Sequence, residues 1–265
     1  MNPVFDLKEK NEARRRVKDE NNGKVITNFY DFTVDKNCMF FPGSLIHERI
    51  GESEIFLYKE KRSFRLFYYS PSIEKLENDL KKISFPTNFS VILEITERTE
   101  ISPLKDRTPI LSLHKMSKPL ESFFYKFDLS NGDIKNALPQ ELKCIENILL
   151  SNFDPILERV PDLSELAKIH SKQGIKVFKI KNEIKGLIVF NEDNKKLHLR
   201  YIWVDSKYRN QGVARNLMNE FFQYSVANSI TFNFLWVGHK NTRAQEFYKK
   251  LGFQEDPLFD HIYYL

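Results

Sequence analysis

Apolar positions along the chain recur with two periods, and the changes between them mark out its elements. Residues 1–23 follow neither period. Lys, Arg, Glu and Asn dominate as far as Asn21-Asn22-Gly23, a pattern that predicts a solvated helix or a loose tail. Residues 55–58 are apolar, 59–63 polar, and 64–69 aromatic and β-prone, which predicts two strands around a turn. Pro71 and Ser72 then open a segment in which Ile73, Leu76, Leu80 and Ile83 share a helical face, with Pro86 beyond its end. Two further strands are predicted over 89–96 and 110–113.

A boundary is expected near Ser117-Lys118-Pro119, dividing the chain into a domain over 1–118 and a domain over 119–265. In the second, a strand is predicted over 123–129 and a helix over 138–150, with Ile145 and Leu149 on one face. Asp162 caps another helix carrying Leu163, Leu166, Ala167 and Ile169, and Gly174 reads as its stop. Residues 175–180 and 184–190 form a hairpin around Lys181-Asn182-Glu183, and 191–195 turn into a strand over 196–204. A helix over 212–226, a strand over 230–237, a helix over 242–251 and a strand over 262–265 complete the order β-α-α-β-β-β-α-β-α-β. The hairpin, helix and strand of the first half echo this arrangement, an echo of architecture alone.

Composition narrows the picture modestly. Hydrophobic residues make up 41% and charged residues 29% of the 265, enough to build a core. The 23 Phe against 4 Met point to aromatic packing or to an AT-rich genome. The net charge of +5 is spread through the chain. The densest basic run, Arg14-Arg15-Arg16, sits among Glu12, Asp19 and Glu20, so a nucleic-acid partner is not expected. Cys38 and Cys144 are isolated and form neither a disulfide framework nor a zinc spacing, and no metal is expected. The N-terminus is polar, and no apolar run approaches the ~18 residues of a membrane span. A cytoplasmic protein, monomeric or homodimeric and without a membrane partner, is the expectation.

The chemistry concentrates in two segments. Arg209-Asn210-Gln211-Gly212-Val213-Ala214 connects a strand to a helix. The first N–H groups of a helix lack internal partners and sit at the positive end of its dipole, so such a start suits a pyrophosphate. Gly212 lets the backbone approach closely, Ala214 is small, and Arg209 and Arg215 can add charge-assisted hydrogen bonds. An ordinary strand–loop–helix connection with a Gly would look similar. Downstream, Asn241 suits a helix N-cap, and Asn241, Ala244 and Tyr248 fall on one helical face. Phe247 falls on the core side, Gly252 reads as a C-cap and Phe253 enters the last strand. An amphipathic helix ended by Gly would show much of this too.

Together the two segments resemble the GNAT superfamily of N-acetyltransferases. The Arg/Gln-x-x-Gly-x-Gly/Ala signature falls at 209–214 and the Asn-x-x-Ala-x-x-Phe-Tyr-x-x-x-Gly-Phe pattern at 241–253, with one helix and one strand between them. The resemblance covers roughly residues 119–265. It implies an α+β fold: a mixed, mostly antiparallel central sheet with splayed fourth and fifth strands, flanked by helices and here preceded by a smaller α/β N-terminal domain. That domain is either a degenerate GNAT-like repeat without a cofactor site or an unrelated α+β domain forming part of the acceptor pocket.

The resemblance further implies acetyl-CoA as co-substrate. The backbone of Ile202, Trp203 and Val204 would pair with pantetheine and steady the oxyanion. The Arg209, Asn210, Gln211, Gly212, Val213, Ala214 and Arg215 segment would hold the pyrophosphate, and Asn241 the pantetheine arm. Tyr248 would contact the cofactor and supply the proton for the leaving thiolate. The general base is less defined by the motifs. His198 occupies the position where histone-type members place a Glu, a half-exposed strand His without a role fits equally, and His239 is a second candidate. The expected acceptor is a primary amine of a small or amino-acid-like molecule. The alternatives are a protein or peptide N-acetyltransferase and a non-catalytic acyl-CoA sensor.

Overall fold

The computed structural model describes residues 2–3, 7–29, 45–60, 62–85, 88–119 and 133–265, with side chains from Glu9 onward. The strand expected over 123–129, together with Cys38, Gly43, Ser44 and Pro86, lies outside the described residues. The chain divides into two compact units, Met1–Leu113 with Pro257–Leu265, and His114–Asp256. The division therefore falls at 113/114 and again at 256/257, whereas the sequence suggested a single boundary at 118/119. The last nine residues pack with the first unit because their strand pairs there.

The first unit begins with β1 (Asn2–Pro3), α1 (Leu7–Glu20), β2 (Ile26–Thr27), β3 (Leu45–Ile50), β4 (Ser53–Lys59) and β5 (Ser63–Ser70). α2 (Ile73–Leu80) and β6 (Ser90–Glu97) follow, and β7 (Leu111–Pro119) runs across the division. α1 is not a loose tail. Ala13 and Val17, one turn apart, are buried and join Phe29, Leu45, Phe56, Phe67 and Tyr69 in one cluster. Two small apolar residues amid charge leave only a faint trace in the sequence, but they suffice to seat the helix. β3 has no counterpart in the predicted elements, because its His47 faces inward and bridges Glu9 and Glu54 where the pattern expects an apolar residue. β3–β4 and β4–β5 pair antiparallel and β5–β6 parallel.

The second unit continues with β8 (Asp133–Asn136), α3 (Leu142–Asn152), α4 (Leu163–Ser171), β9 (Ile175–Ile180), β10 (Glu183–Asp193) and β11 (Lys196–Val204). Then come α5 (Val213–Ala227), β12 (Phe232–Gly238), α6 (Thr242–Lys250) and β13 (Gln254–Tyr264), whose residues from Pro257 on belong to the first unit. β13 pairs antiparallel with β6 from Phe259↔Glu97 to Tyr264↔Ile92. The strand order is β7-β12-β11-β10-β9-β8. Pairing is antiparallel from β8 through β11 and parallel between β11 and β12. One face packs on α5 and α6 around Phe190, Leu217 and Phe221, the other on α3 and α4 around Ile145, Leu149 and Leu166. Lys181-Asn182 and Asn194-Lys195 form two-residue hairpin turns with every φ between 48° and 66°, the twist that matches paired strands.

The stop of α4 differs from the sequence reading in one respect. Gln173, not Gly174, takes the left-handed conformation, at φ 58°. The N–H groups of Gly174 and Gln173 close on Ile169 O and His170 O, a Schellman arrangement. Gly174 is needed for space: a Cβ there would lie 2.2 Å from Phe190 O and 2.8 Å from Ile169 Cγ2. Gly174→Ala is accordingly expected to destabilise the second unit by about 2 kcal/mol through forced repacking. Urea unfolding should show a lower midpoint at unchanged slope.

Candidate active site

β11 and β12 pair from Lys196↔Phe232 to Leu199↔Leu235 and then part. β11 runs on to Val204, paired from there only with β10 among the described residues. A wedge therefore opens beside the second half of β11. The hydrogen-bonding phase of the strand says which groups line it. Asp205 N–H donates to Lys185 O on the β10 side at 2.9 Å. Counting back by two, Trp203 and Tyr201 also bond toward β10, while Ile202 presents its N–H and C=O, and Val204 its N–H, to the open edge; the Val204 carbonyl already accepts from Arg209 Nε. Of the three residues expected to pair with a pantetheine arm, the backbone phase favours Ile202 and Val204.

A register shift in β10–β11 falls between Val189/Phe190, opposite Leu199 to Tyr201. It turns Arg200 and Tyr201, adjacent in sequence, toward the same loop. Tyr201 Oη donates to Glu158 O (2.6 Å) and Arg159 O (2.8 Å), and Arg200 Nη2 donates to Arg159 O (3.0 Å). Arg200 is also held by Glu165. Arg159 sits at φ 52°, a strained setting for a long side chain, and these bonds hold it there. The loop between α3 and α4 is thus pinned to the strand that lines the wedge.

Beyond the wedge the chain turns through Ser206–Tyr208 into the expected anion site. Asn210 and Gly212 are left-handed at φ 61° and 82°, and Gly212 caps α5 with no side-chain hydrogen bond. No acidic residue occupies the first turn. Two side chains hold the turn in shape: Arg209 Nε donates to Val204 O (3.0 Å) and Gln211 Nε2 to Lys207 O (2.8 Å). α5 sits close to the sheet because β10 carries Gly186, where a Cβ would meet Val213 Cγ1 at 3.0 Å. Sequence reading passed over Gly186. It also passed over Arg243, whose Nη2 donates to Asn210 Oδ1 (3.2 Å) and ties the start of α6 to the phosphate turn. An exposed Arg two residues after the N-cap of α6 was the available signal.

Asn241 caps α6, its Oδ1 accepting from Ala244 N (3.2 Å). The helix then runs from exposed Asn241 through half-buried Ala244 to buried Tyr248. Tyr248 is buried more deeply than Phe247, the reverse of the expected order, and the two rings meet edge to face. Tyr248 shares its cluster with Val213, and Ile202 and Val204 pack against that cluster. Burial alone pushes the Tyr248 phenol well above its usual range, so it keeps its proton.

His198 lies on β11 opposite Phe234 and stacks on it at 4.6 Å, 5° from parallel. Burial, assisted by the Arg200 charge, lowers its pKa to about 3. A base that weak does not hold a proton near neutrality, which departs from what the general-base assignment requires. It has a stability consequence instead. The unfolded imidazole titrates near 6.5, so between that pH and about 3 the unfolded state binds a proton that the native state refuses. Stability should fall as pH drops below 6.5, by about 2 kcal/mol at pH 5 from this group alone. His198→Phe should remove that share of the acid sensitivity in unfolding curves from pH 7.5 to 5. His239 follows the end of β12, and its carbonyl accepts from Gln245 Nε2 at 2.8 Å.

An open strand edge running into an uncapped, glycine-led helix start is the geometry that the two motifs imply. Residues 143–253 match the model of the acetyltransferase (GNAT) family. They form a GNAT domain. An uncharacterized N-acetyltransferase of Methanocaldococcus jannaschii is 41% identical over 54 residues, covering 20% of this chain and 24% of the relative. N-acetylaspartate synthetase of Xenopus tropicalis is 25% identical over 119 residues, 43% of each chain. The chain thus spans less than half the length of these curated relatives. A GCN5-related N-acetyltransferase from Sphaerobacter thermophilus shares the fold with a TM-score of 0.59 at 12% identity, over 80% of this chain and 76% of that one. Among the described residues no helix is long and apolar enough to cross a membrane, and no cluster of metal-binding side chains occurs near the GNAT domain or elsewhere.

Proposed function

We propose that the chain is an acetyl-CoA-dependent N-acetyltransferase whose acceptor is a primary amine of a small, amino-acid-like molecule. The observation that carries this reading is the wedge beside β11, which ends on the uncapped start of α5 at Gly212. The Ile202 and Val204 edge offers alternating donors and acceptors to the amides of a pantetheine arm. The N–H groups opening α5 would face the pyrophosphate, with Arg209 on the same turn and Arg243 tied to it through Asn210 adding positive charge. The cofactor supplies an activated acetyl group. The amine nitrogen attacks the thioester carbonyl carbon, an N–C bond forms, and the C–S bond then breaks. An N–H on the β11 edge stabilises the oxyanion, and Tyr248 donates a hydrogen bond to the departing sulfur. With the His198 pKa so low, the ammonium proton leaves to water. A relative named for making N-acetylaspartate supports an amino-acid-like acceptor.

Thermal shift with acetyl-CoA tests the donor half of this reading. At 1,000 times Kd a ligand stabilises by about 4 kcal/mol, which gives a clear rise in Tm. A chain indifferent to acetyl-CoA and to CoA would overturn the proposal. Release of free thiol in a panel of amino acids, amines and N-terminal peptides then identifies the acceptor. Binding without turnover across the panel would replace the enzyme reading by that of a sensor.

A further inference from the structure

We propose that the first unit contains a second wedge of the same construction, and that residues 26–29 of the chain fill it in place of a pantetheine arm. The comparison rests on reading the β11–β12 wedge as the cofactor site. In the second unit, β10 and β11 are antiparallel, α5 follows, and β11 pairs parallel with β12 over four residue pairs before running on alone. In the first unit, β4 and β5 are antiparallel and α2 follows. β5 pairs parallel with β6 over four residue pairs, from Ser63↔Ser90 to Leu66↔Leu93, and then continues to Ser70. The same parting of two parallel strands occurs in both.

The difference lies in what occupies the gap. β2 pairs antiparallel with the free end of β5, Ile26↔Ser70 and Thr27↔Tyr69. Where β2 ends, the Asn28 side chain takes over. Its Nδ2 donates to Leu66 O on β5 and to Glu94 O on β6, both at 2.9 Å, and its Oδ1 accepts from Tyr68 N at 3.0 Å. One primary amide therefore bridges both walls and meets the edge with the donor and acceptor chemistry that a pantetheine amide would bring. Thr27 Oγ1 donates to Tyr68 O (2.6 Å) and accepts from Phe29 N (2.8 Å). Phe29 locks the segment, stacking on Phe67 at 4.5 Å and meeting Phe56 edge to face at 5.2 Å.

The phosphate end of this wedge is cancelled as well. α2 begins with Ser72, whose Oγ accepts from Lys75 N, and Glu74 stands in its first turn. A helix start that is capped and carries an acid repels the anion that the start of α5 would attract. The chain accordingly binds one cofactor, and the first unit uses its cleft to anchor its own N-terminal segment.

Residue-resolved hydrogen exchange on the full chain, with and without saturating CoA, tests this. The Tyr68 amide should be protected in the free protein to the level of the β4–β5 ladder and be unchanged by CoA, and calorimetry should give one CoA per chain. Asn28→Ala should speed Tyr68 exchange about 10-fold or more, with CoA affinity unaltered. Asn28→Asp, which keeps the volume but loses both donors, serves as a second variant. Loop-like exchange of Tyr68 in the unsubstituted chain, CoA-dependent protection of residues 66–70, or two CoA per chain would each overturn the proposal. If CoA does not bind at all, the reading of the second unit falls, while exchange at Tyr68 in the free chain still decides this one.

Discussion

Gly212→Val is expected to weaken CoA binding about 100-fold, and with it to abolish most of the thermal stabilisation by the cofactor. Gly212 sits at φ 82° at the head of α5. A residue with a Cβ pays roughly 1–2 kcal/mol in that region, and a β-branched one more. The turn relieves this by rotating, which swings the N–H groups of Val213 and Ala214 away from a common anion. On the proposed reading a Cβ would also stand where the phosphates approach. Two effects of this size together reach about 2.7 kcal/mol, the equivalent of 100-fold. Calorimetric titration with CoA and with dephosphorylated pantetheine checks the assignment. The pantetheine affinity should change little, because the β11 edge is untouched. An equal loss for both ligands would show that Gly212 supports the fold and not the phosphate site.

Tyr248→Phe is expected to lower kcat about 100-fold while leaving the Kd for CoA within about threefold. The ring is packed in the core shared by α5 and α6, so Phe fills the same volume and folding is preserved. What is lost is one O–H, the group proposed to meet the departing sulfur. Because burial holds the phenol well above its usual range, the group stays protonated throughout the usable pH range. Its contribution is a hydrogen bond that strengthens as charge collects on sulfur, and it should add no basic limb to the pH–rate profile below pH 9. Single-turnover thiol release, measured with whichever amine the panel identifies, separates this from an effect on product departure. Unchanged turnover in Tyr248→Phe would remove Tyr248 from the chemistry.

Much of the second unit was legible because its signals are local. The N-caps at Asp162 and Asn241 and the hairpin turns each reside in a few consecutive residues, and the structure places them close to where the sequence put them; Gly212, read for close approach alone, also takes the left-handed conformation. The features that escaped depend on distant partners. The parting of β11 and β12 was expected through the family resemblance alone, and its place after Leu199 cannot be read from either strand, since both remain apolar to their ends. The depth of Tyr248 and the low basicity of His198 follow from tertiary burial, which reverses what a titratable residue on a strand suggests. Gly174 was noticed for the wrong reason, conformational freedom in place of room beside Phe190. Asn28 left no signal: between Thr27 and Phe29 an Asn reads as a turn former, and only the paired walls of Leu66 and Glu94 give it a role.

The chain crosses between its two compact units twice, at 113/114 and at 256/257. Synthesis therefore completes the units out of order. Residues 114–256 form one uninterrupted stretch and can close as soon as they leave the ribosome. The first unit, although begun earlier, waits for Pro257–Leu265 before β6 gains its neighbour. Until then β6, with Ile92, Leu93 and Ile95, presents an unpaired edge rich in β-branched and aliphatic residues. Loss of Pro257–Leu265 by premature termination would thus strip β6 of its neighbour, leaving a polypeptide with a defect far in sequence from where it was cut.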